Sequence, residues 1–374
     1  MSHNLDASER LAWLRLARTN AIGPVTFAAL LRRFGSAAAA LEEAPRLAQR
    51  GGGKNFALPP AGDAVRELEQ LTKLGGRFIA ACEPDFPLGL SVLDPPPPLI
   101  SVIGQMHLLR KDMVAVVGAR NASALSRKFA QILSRDLGEA GLVIASGLAR
   151  GIDSAAHEAA LALGTVAVVA GGVDVIYPPE NEALYRAIAE RGAVISEMPM
   201  GEAPQARHFP RRNRLISGLS RGVVVVEAAE RSGSLITANY ALEQSREIFA
   251  VPGSPLDPRA KGANRLIREG ATLTEGAEDV LAVLRPILGR GFGEPETSAP
   301  LPPVDDKSLD AEADRIRARV EEALGVTPVE INELIRQIGA LPSVVLAVIL
   351  ELELAGRCRR FPGNRVGWAN APDT

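Results

Sequence analysis

From residue 113 to about residue 285 the chain alternates short, almost wholly apolar runs with segments of helical periodicity, and no other feature restricts its fold as tightly. The runs at residues 114–117, 142–145, 165–169, 193–195, 222–226 and 248–251 show no polar-outward alternation, so each reads as a strand buried on both faces. Between two of them, residues 123–139 set Leu125, Phe129, Ile132, Leu133 and Leu137 along one helix face. Strands separated by helices of this length require right-handed crossovers, which gives a parallel sheet with helices on both sides. The expected core is a doubly wound α/β domain.

Two Pro/Gly-rich stretches, residues 51–60 and 286–303, read as linkers. The prolines at 95–98 precede an apolar run at 99–103 and introduce a strand rather than separate domains. The first fifty residues read as helices: Leu11, Leu14, Leu16 and Ala17, then Phe27, Leu30, Leu31 and Phe34, with Gly35 as a C-cap. Gly23-Pro24 at their join gives a helix-hairpin-helix signature. Such a hairpin either offers backbone N–H groups to a phosphate or is a plain structural join. After the second linker, helices at 311–324, 331–338 and 343–355 precede a hairpin at 357–367 turning through Pro362-Gly363-Asn364, a winged-helix pattern. Its recognition helix, 343–355, has no Lys or Arg and carries Glu351 and Glu353, the wrong charge for DNA. Only the wing is basic, with Arg357, Arg359, Arg360 and Arg365. A packing or protein-binding role is therefore expected ahead of groove readout. The expected boundaries are a helical domain at 1–62, the α/β domain at 63–288, a linker at 289–308 and the winged helix at 309–374.

With 42 Lys plus Arg against 44 Asp plus Glu, the net charge of −2 excludes a uniformly basic nucleic-acid coat, so any anion site is local. Cys82 and Cys358 stand far apart and the four histidines have no zinc-ligand spacing, so neither a disulfide framework nor a structural metal is expected. The amino terminus has no apolar core of a signal peptide, and no stretch approaches 18 uncharged apolar residues; a cytoplasmic protein without membrane insertion is expected.

Ligands of open α/β sheets bind beyond the carboxyl ends of the strands. The first such junction, Gly118-Ala119-Arg120-Asn121-Ala122-Ser123, is a glycine turn before a helix whose free N–H groups suit a phosphate, with Arg120 beside them. It lacks the later glycines of a dinucleotide fingerprint, and the next strand ends in Ser146-Gly147 rather than an acid, which argues against a nicotinamide cofactor. The second junction, residues 146–157, supplies two glycines, Arg150, Asp153 as expected N-cap and His157. No G-x-S-x-G elbow accompanies His157, so it reads as a structural hydrogen-bonding residue. Tyr177, after Gly171-Gly172, is either part of a turn or an exposed stacking platform. The densest charge is at residues 207–214, with four arginines in eight residues and no acid. Pro210 and the following Leu215 and Ile216 set Arg211 to Arg214 in the first turn of a helix, where cations oppose the macrodipole unless an anion binds there. Lys261 and Arg265 add cations beside Gly262 and Asn264.

Together Gly118-Ala119-Arg120, residues 146–157, Tyr177-Pro178, Ser196-Glu197-Met198-Pro199, residues 209–214, residues 232–238, Val251-Pro252-Gly253 and Gly262-Ala263-Asn264 resemble the DNA-processing protein A family, DprA/Smf, in the family's order. The terminal segments look like its helical (SAM-like) and winged-helix accessory domains. The resemblance implies an extended Rossmann-like domain that binds single-stranded DNA, protects it and helps load the RecA recombinase in natural transformation, acting as a homodimer. Arg120 would then contact phosphate, and Arg211, Arg212 and Arg214 would line the same basic pocket. The DNA-binding set expected is Gly118, Arg120, Ser146, Gly147, Arg150, Arg211, Arg212, Asn213, Arg214, Lys261, Asn264 and Arg265, with no catalytic residue, metal or cofactor. The competing reading is a nucleotide-binding phosphoribohydrolase on the same core, with Glu227 or Glu243 as its acid. Residues 231–237 lack the second glycine and the spacing of the acid found in those enzymes.

Overall fold

A computed structural model describes residues 4–292, 306–325, 327–361 and 363–370, with only the backbone of 306 and 307. The described residues form two compact units, one running from Val65 to Phe292, the other combining Leu5–Ala64 with the C-terminal segment from residue 306 onward.

The first unit is a nine-stranded sheet. Its strands are β1 (Arg77–Ala80), β2 (Leu99–Gly104), β3 (Met113–Gly118), β4 (Val143–Ser146), β5 (Thr165–Val168), β6 (Ala193–Ser196), β7 (Gly222–Val226), β8 (Glu247–Ala250) and β9 (Thr272–Leu273). They lie in the order β1-β2-β6-β5-β4-β3-β7-β8-β9. From β6 to β9 every pairing is parallel, while β2 runs antiparallel to both β6 and β1. The apolar runs are continuous because alternate residues enter two separate cores. Ala115, Val117, Val143, Ala145, Val223 and Val225 face the helices His208–Leu219, Gly233–Glu243 and Lys261–Arg268. Val114, Val116, Ile144, Val224 and Val226 face Ala124–Glu139, Ile152–Ala160 and Ala277–Leu284. This is the doubly wound, Rossmann-like sheet expected, extended at one edge by two antiparallel strands.

Two local expectations change. On the helix Ala124–Glu139 only Ala130, Leu133 and Leu137 form the buried apolar stripe; Leu125 is 81% exposed and Ile132 faces solvent. The narrower stripe suffices because Ile152, Ala155 and Ala156 of the neighbouring helix close the core there. Val280, Leu281 and Leu284 are buried in that same core. Gly51 and Gly53, expected in a linker, are packing glycines: a Cβ on Gly51 would stand 2.0 Å from the Glu351 carbonyl oxygen.

In the second unit, helices Ala7–Ala17, Pro24–Phe34 and Ala37–Arg50 enclose the Trp13–Phe27 ring pair at 5.0 Å, and Gly35 ends the middle one at φ 78°. The C-terminal part has helices Asp306–Ala323, Ile331–Ile338 and Pro342–Leu354 and the sheet β10 (Val329–Glu330), β12 (Arg365–Trp368), β11 (Cys358–Phe361), a winged helix. Its third helix is buried along nearly all its length from Val344 to Leu354 and lies against Ala37–Arg50. Glu351, 0% exposed, accepts from Arg50 Nε at 2.8 Å and from Arg317. Glu353 accepts from Arg360 at 2.9 Å. The two acids expected to repel DNA are thus internal counter-ions. The helix is unsuited to a groove because it is core, not because it displays carboxylates. Arg357 of the wing is likewise held by Glu321 at 2.7 Å.

Candidate nucleic-acid interface

In the first unit the chain passes from β3 toward β4 on one side and reaches β7 on the other, so the topological switch point lies beside β3. Next to it, beyond the carboxyl ends of β3, β4 and β5, lies a cavity of about 250 Å³. Its walls come mainly from four elements, with Pro204 of the loop after β6 beside them. The loop after β3 supplies Arg120, the loop after β4 supplies residues 147–150, and the loop after β5 supplies Gly171, Tyr177 and Glu180. The helix His208–Leu219 supplies Phe209 and Arg212.

The floor is the buried Arg212 guanidinium, which the buried Asp153 carboxylate supports through space. Arg212 donates Nη1 to the Val168 carbonyl at 2.9 Å, and its Nε has no hydrogen-bond partner. Burial draws its guanidinium down to about 10, opposed by the Asp153 carboxylate and reinforced by Arg120, so it remains charged at neutral pH. Burial pushes Asp153 up from its ordinary value, against the pull of Arg212 and of the Ala149 and Gly147 N–H groups. Gly147 makes this geometry possible, since a Cβ there would stand 1.8 Å from Arg212 Nη1. Above the floor the Arg120 guanidinium lies 5.2 Å from the Phe209 ring centre, and the Phe209 and Tyr177 rings are 6.0 Å apart. Tyr177 is 45% exposed, so its ring is available as a platform rather than hidden in a turn. Arg150 stands at the rim, 3.3 Å from Glu180, both side chains well exposed.

The structure thus brings Arg120, Gly147, Arg150 and Arg212 together. It sends the other expected residues elsewhere. Gly118 is a packing glycine whose Cβ would meet the Val226 carbonyl oxygen at 2.0 Å. Ser146 is fully buried and donates its hydroxyl to Val116 O at 2.6 Å. Asn213 donates to Gly233 O at 3.3 Å, and Arg214 is paired with Glu197. Asn264 clamps Gly253 through both its amide groups. Lys261 and Arg265 lie on the helix after β8, outside the cavity lining, with Arg265 3.5 Å from Glu269. Arg211 is exposed on the same helix as Arg212. That helix begins at His208, so Arg212 to Arg214 lie beyond its first turn and the expected conflict with the macrodipole is confined to Arg211.

The backbone anion cradles expected at the first two junctions are also taken. Asp153 is not the N-cap; Gly151 is, at φ 83°, and the Asp153 carboxylate accepts from Gly147 N and Ala149 N. Ser123 caps the helix after β3 and is itself held by Glu227. That leaves Glu227 committed, and Glu243 sits exposed on Gly233–Glu243, away from the cavity lining, so neither acid is placed for hydrolysis in this cavity. His157 is fully buried and shares a 2.6 Å hydrogen bond with Thr165 Oγ1, as expected of a structural histidine. The residue not foreseen for the site is Phe209; its signal was an aromatic ring set among arginines in residues 207–214.

Three family models match this chain: DNA recombination-mediator protein A over residues 77–285, the DprA-like N-terminal HHH domain over 7–69, and the DprA winged helix domain over 299–364. Protein Smf of Escherichia coli is 41% identical over 273 residues, covering 72% of this chain and 71% of that protein. Among solved structures, DNA processing protein A of Streptococcus pneumoniae superposes with a TM-score of 0.62 at 34% identity, over 75% of this chain and 98% of that one. DNA processing protein A of Helicobacter pylori, whose structure is described in terms of its single-stranded DNA binding mode, gives 0.53 at 28% identity, over 57% and 97%.

Proposed function

Because the chain belongs to the DNA recombination-mediator protein A family, DprA/Smf, we propose that it binds single-stranded DNA without sequence preference through the cavity beyond β3–β5. The observation that carries this reading is the convergence of Arg120, Arg150 and Arg212 on a cavity walled by the Phe209 and Tyr177 rings. Cations track a phosphate backbone, and a π-face accepts any base, so such a site holds a strand without reading it. Arg211, on the helix that carries Arg212, and Lys261 and Arg265, on the helix after β8, extend the track in this reading. In this reading the protein is a homodimer that shields incoming DNA in the cytoplasm and hands it to the RecA recombinase, with no chemistry of its own. No single helix among the described residues is long and apolar enough to cross a membrane.

The test is a salt titration of binding to a fluorescent single-stranded oligonucleotide, with matched duplex and a mononucleotide as competitors. Salt-sensitive preference for the strand is expected, with a log–log slope of about −0.7 per phosphate neutralised. Retention of the mononucleotide with loss of strand binding would overturn the reading in favour of a nucleotide-directed activity.

A further inference from the structure

In open α/β sheets the βα junctions beside the switch point are where backbone N–H groups and a helix N-terminus receive a phosphate. Here both junctions already hold a carboxylate. After β4, Asp153 Oδ2 accepts from Gly147 N at 3.1 Å and from Ala149 N at 3.3 Å, while Ser154 N and Ile152 N are taken by the carbonyls of Ala149 and Ala119. After β3, the two carboxylate oxygens of Glu227 each lie 3.2 Å from Ser123 N. One of them accepts the Ser123 hydroxyl at 2.7 Å, which in turn caps Ser126 N. Asp153 is 6% exposed and Glu227 8%, so neither is a surface acid that happens to swing inward. Glu227 adopts a left-handed backbone, φ 57°, to reach across from β7, and Ala119 N donates to its carbonyl at 2.8 Å. Two acids from different elements, each buried, therefore fill the two equivalent places.

We propose that Asp153 and Glu227 are built-in anions that determine specificity: they fill both phosphate cradles, so the site holds a strand by side-chain cations and refuses free phosphate and mononucleotides. The inference rests on the DNA reading above and names what it selects against. A single phosphate finds the N–H groups of Gly147, Ala149 and Ser123 already taken by carboxylates, and besides Arg212, which is tied to Val168 O, meets the exposed Arg120 and Arg150, which water and salt screen. A strand presents many phosphates to Arg120, Arg150 and their neighbours at once and gains further from counterion release, which a mononucleotide lacks. The carboxylates also hold both loops in their binding shape before any ligand arrives, so the side chains need little reorganisation.

The experiment uses the full chain as wild type, Glu227→Gly and Asp153→Ala. Glycine accepts the left-handed backbone at 227 without strain, so that substitution removes the carboxylate while easing the turn. Binding of inorganic phosphate and of deoxyadenosine monophosphate is measured by calorimetry at low salt, beside oligonucleotide binding, with far-UV circular dichroism establishing that each variant is folded. Either variant is expected to bind phosphate at least about tenfold more tightly than wild type, roughly the worth of one charge-assisted hydrogen bond. Wild-type affinity for phosphate equal to that of the variants, or no gain in any folded variant, overturns the proposal. Failure of the wild type to bind oligonucleotide would instead remove the DNA reading, and the phosphate comparison would still be decided separately.

Discussion

Gly147→Ala tests whether the cavity floor is built as described. The new methyl would stand 1.8 Å from Nη1 and 2.5 Å from Cζ of Arg212, so the guanidinium must leave its place. It then loses its hydrogen bond to Val168 O, worth about 1.5–3 kcal/mol for a charged donor. Asp153, which Arg212 supports through space rather than by an ion-pair contact, loses part of that support but keeps its bonds from the Gly147 and Ala149 N–H groups. About 1.5–3 kcal/mol is therefore expected in all, a substantial part of a domain stability of about 5–15 kcal/mol. The two units report separately. Tyr177, Tyr185 and Tyr240 all lie in the first, Trp13 and Trp368 in the second. Urea unfolding followed by tyrosine absorbance should show the midpoint falling by about 0.5 M or more, while the tryptophan fluorescence transition stays in place. A tyrosine midpoint changed by less than about 0.5 kcal/mol equivalent would show that Arg212 moves aside freely and that the floor is not preformed.

Arg120→Ala should weaken oligonucleotide binding and make its salt dependence shallower by about 0.7 per lost phosphate contact; an unchanged slope in a folded variant would take Arg120 out of the interface. Phe209→Leu should cost about 1–3 kcal/mol of strand affinity to a similar extent for every base composition, and a loss confined to one composition would contradict stacking. His157 is pulled down to about 3, chiefly by burial, with the Ser146 backbone opposing and Arg212 adding. Below its ordinary 6.5 the unfolded chain takes up a proton that the folded chain refuses. The stabilisation is therefore complete above that pH and lost toward 3, at up to about 1.4 kcal/mol per pH unit. The tyrosine-monitored urea midpoint should fall as pH drops below 6.5, and His157→Gln should flatten that dependence. Glu351→Ala leaves Arg50 and Arg317 without their buried partner and should destabilise the second unit by about 3–5 kcal/mol; an unshifted tryptophan transition would show the cluster to be dispensable.

The strands from β3 to β8 were readable because a strand covered on both faces has no choice but to be apolar throughout. β1 and β9 were not, since Arg77–Ala80 and Thr272–Leu273 are short edge segments whose strand state comes from the neighbour they pair with. The helix Ala124–Glu139 was readable as a helix, yet Leu125 was assigned to its buried face although nothing covers that position. At the site, Arg120, Arg150 and Arg212 could be anticipated from their place at strand ends. The diversion of Asn213 and Asn264 into local support could not, because a polar side chain able to bind a ligand is equally able to bind a backbone.

By itself, then, the sequence determined the central strands and most of the helices, that the sheet is doubly wound, and at which end of it cations gather. These follow from periodicity and burial, which act over a few residues. Tertiary structure alone decided what each charge faces. Arg214 meets Glu197 seventeen positions away, Arg50 meets Glu351 across 301, and Asp153 and Glu227 turn inward onto loops that sequence marked as open to phosphate. Charged groups settle wherever an opposite charge or an unpaired N–H lies within about 4 Å, and that neighbour is chosen by the fold rather than by position along the chain.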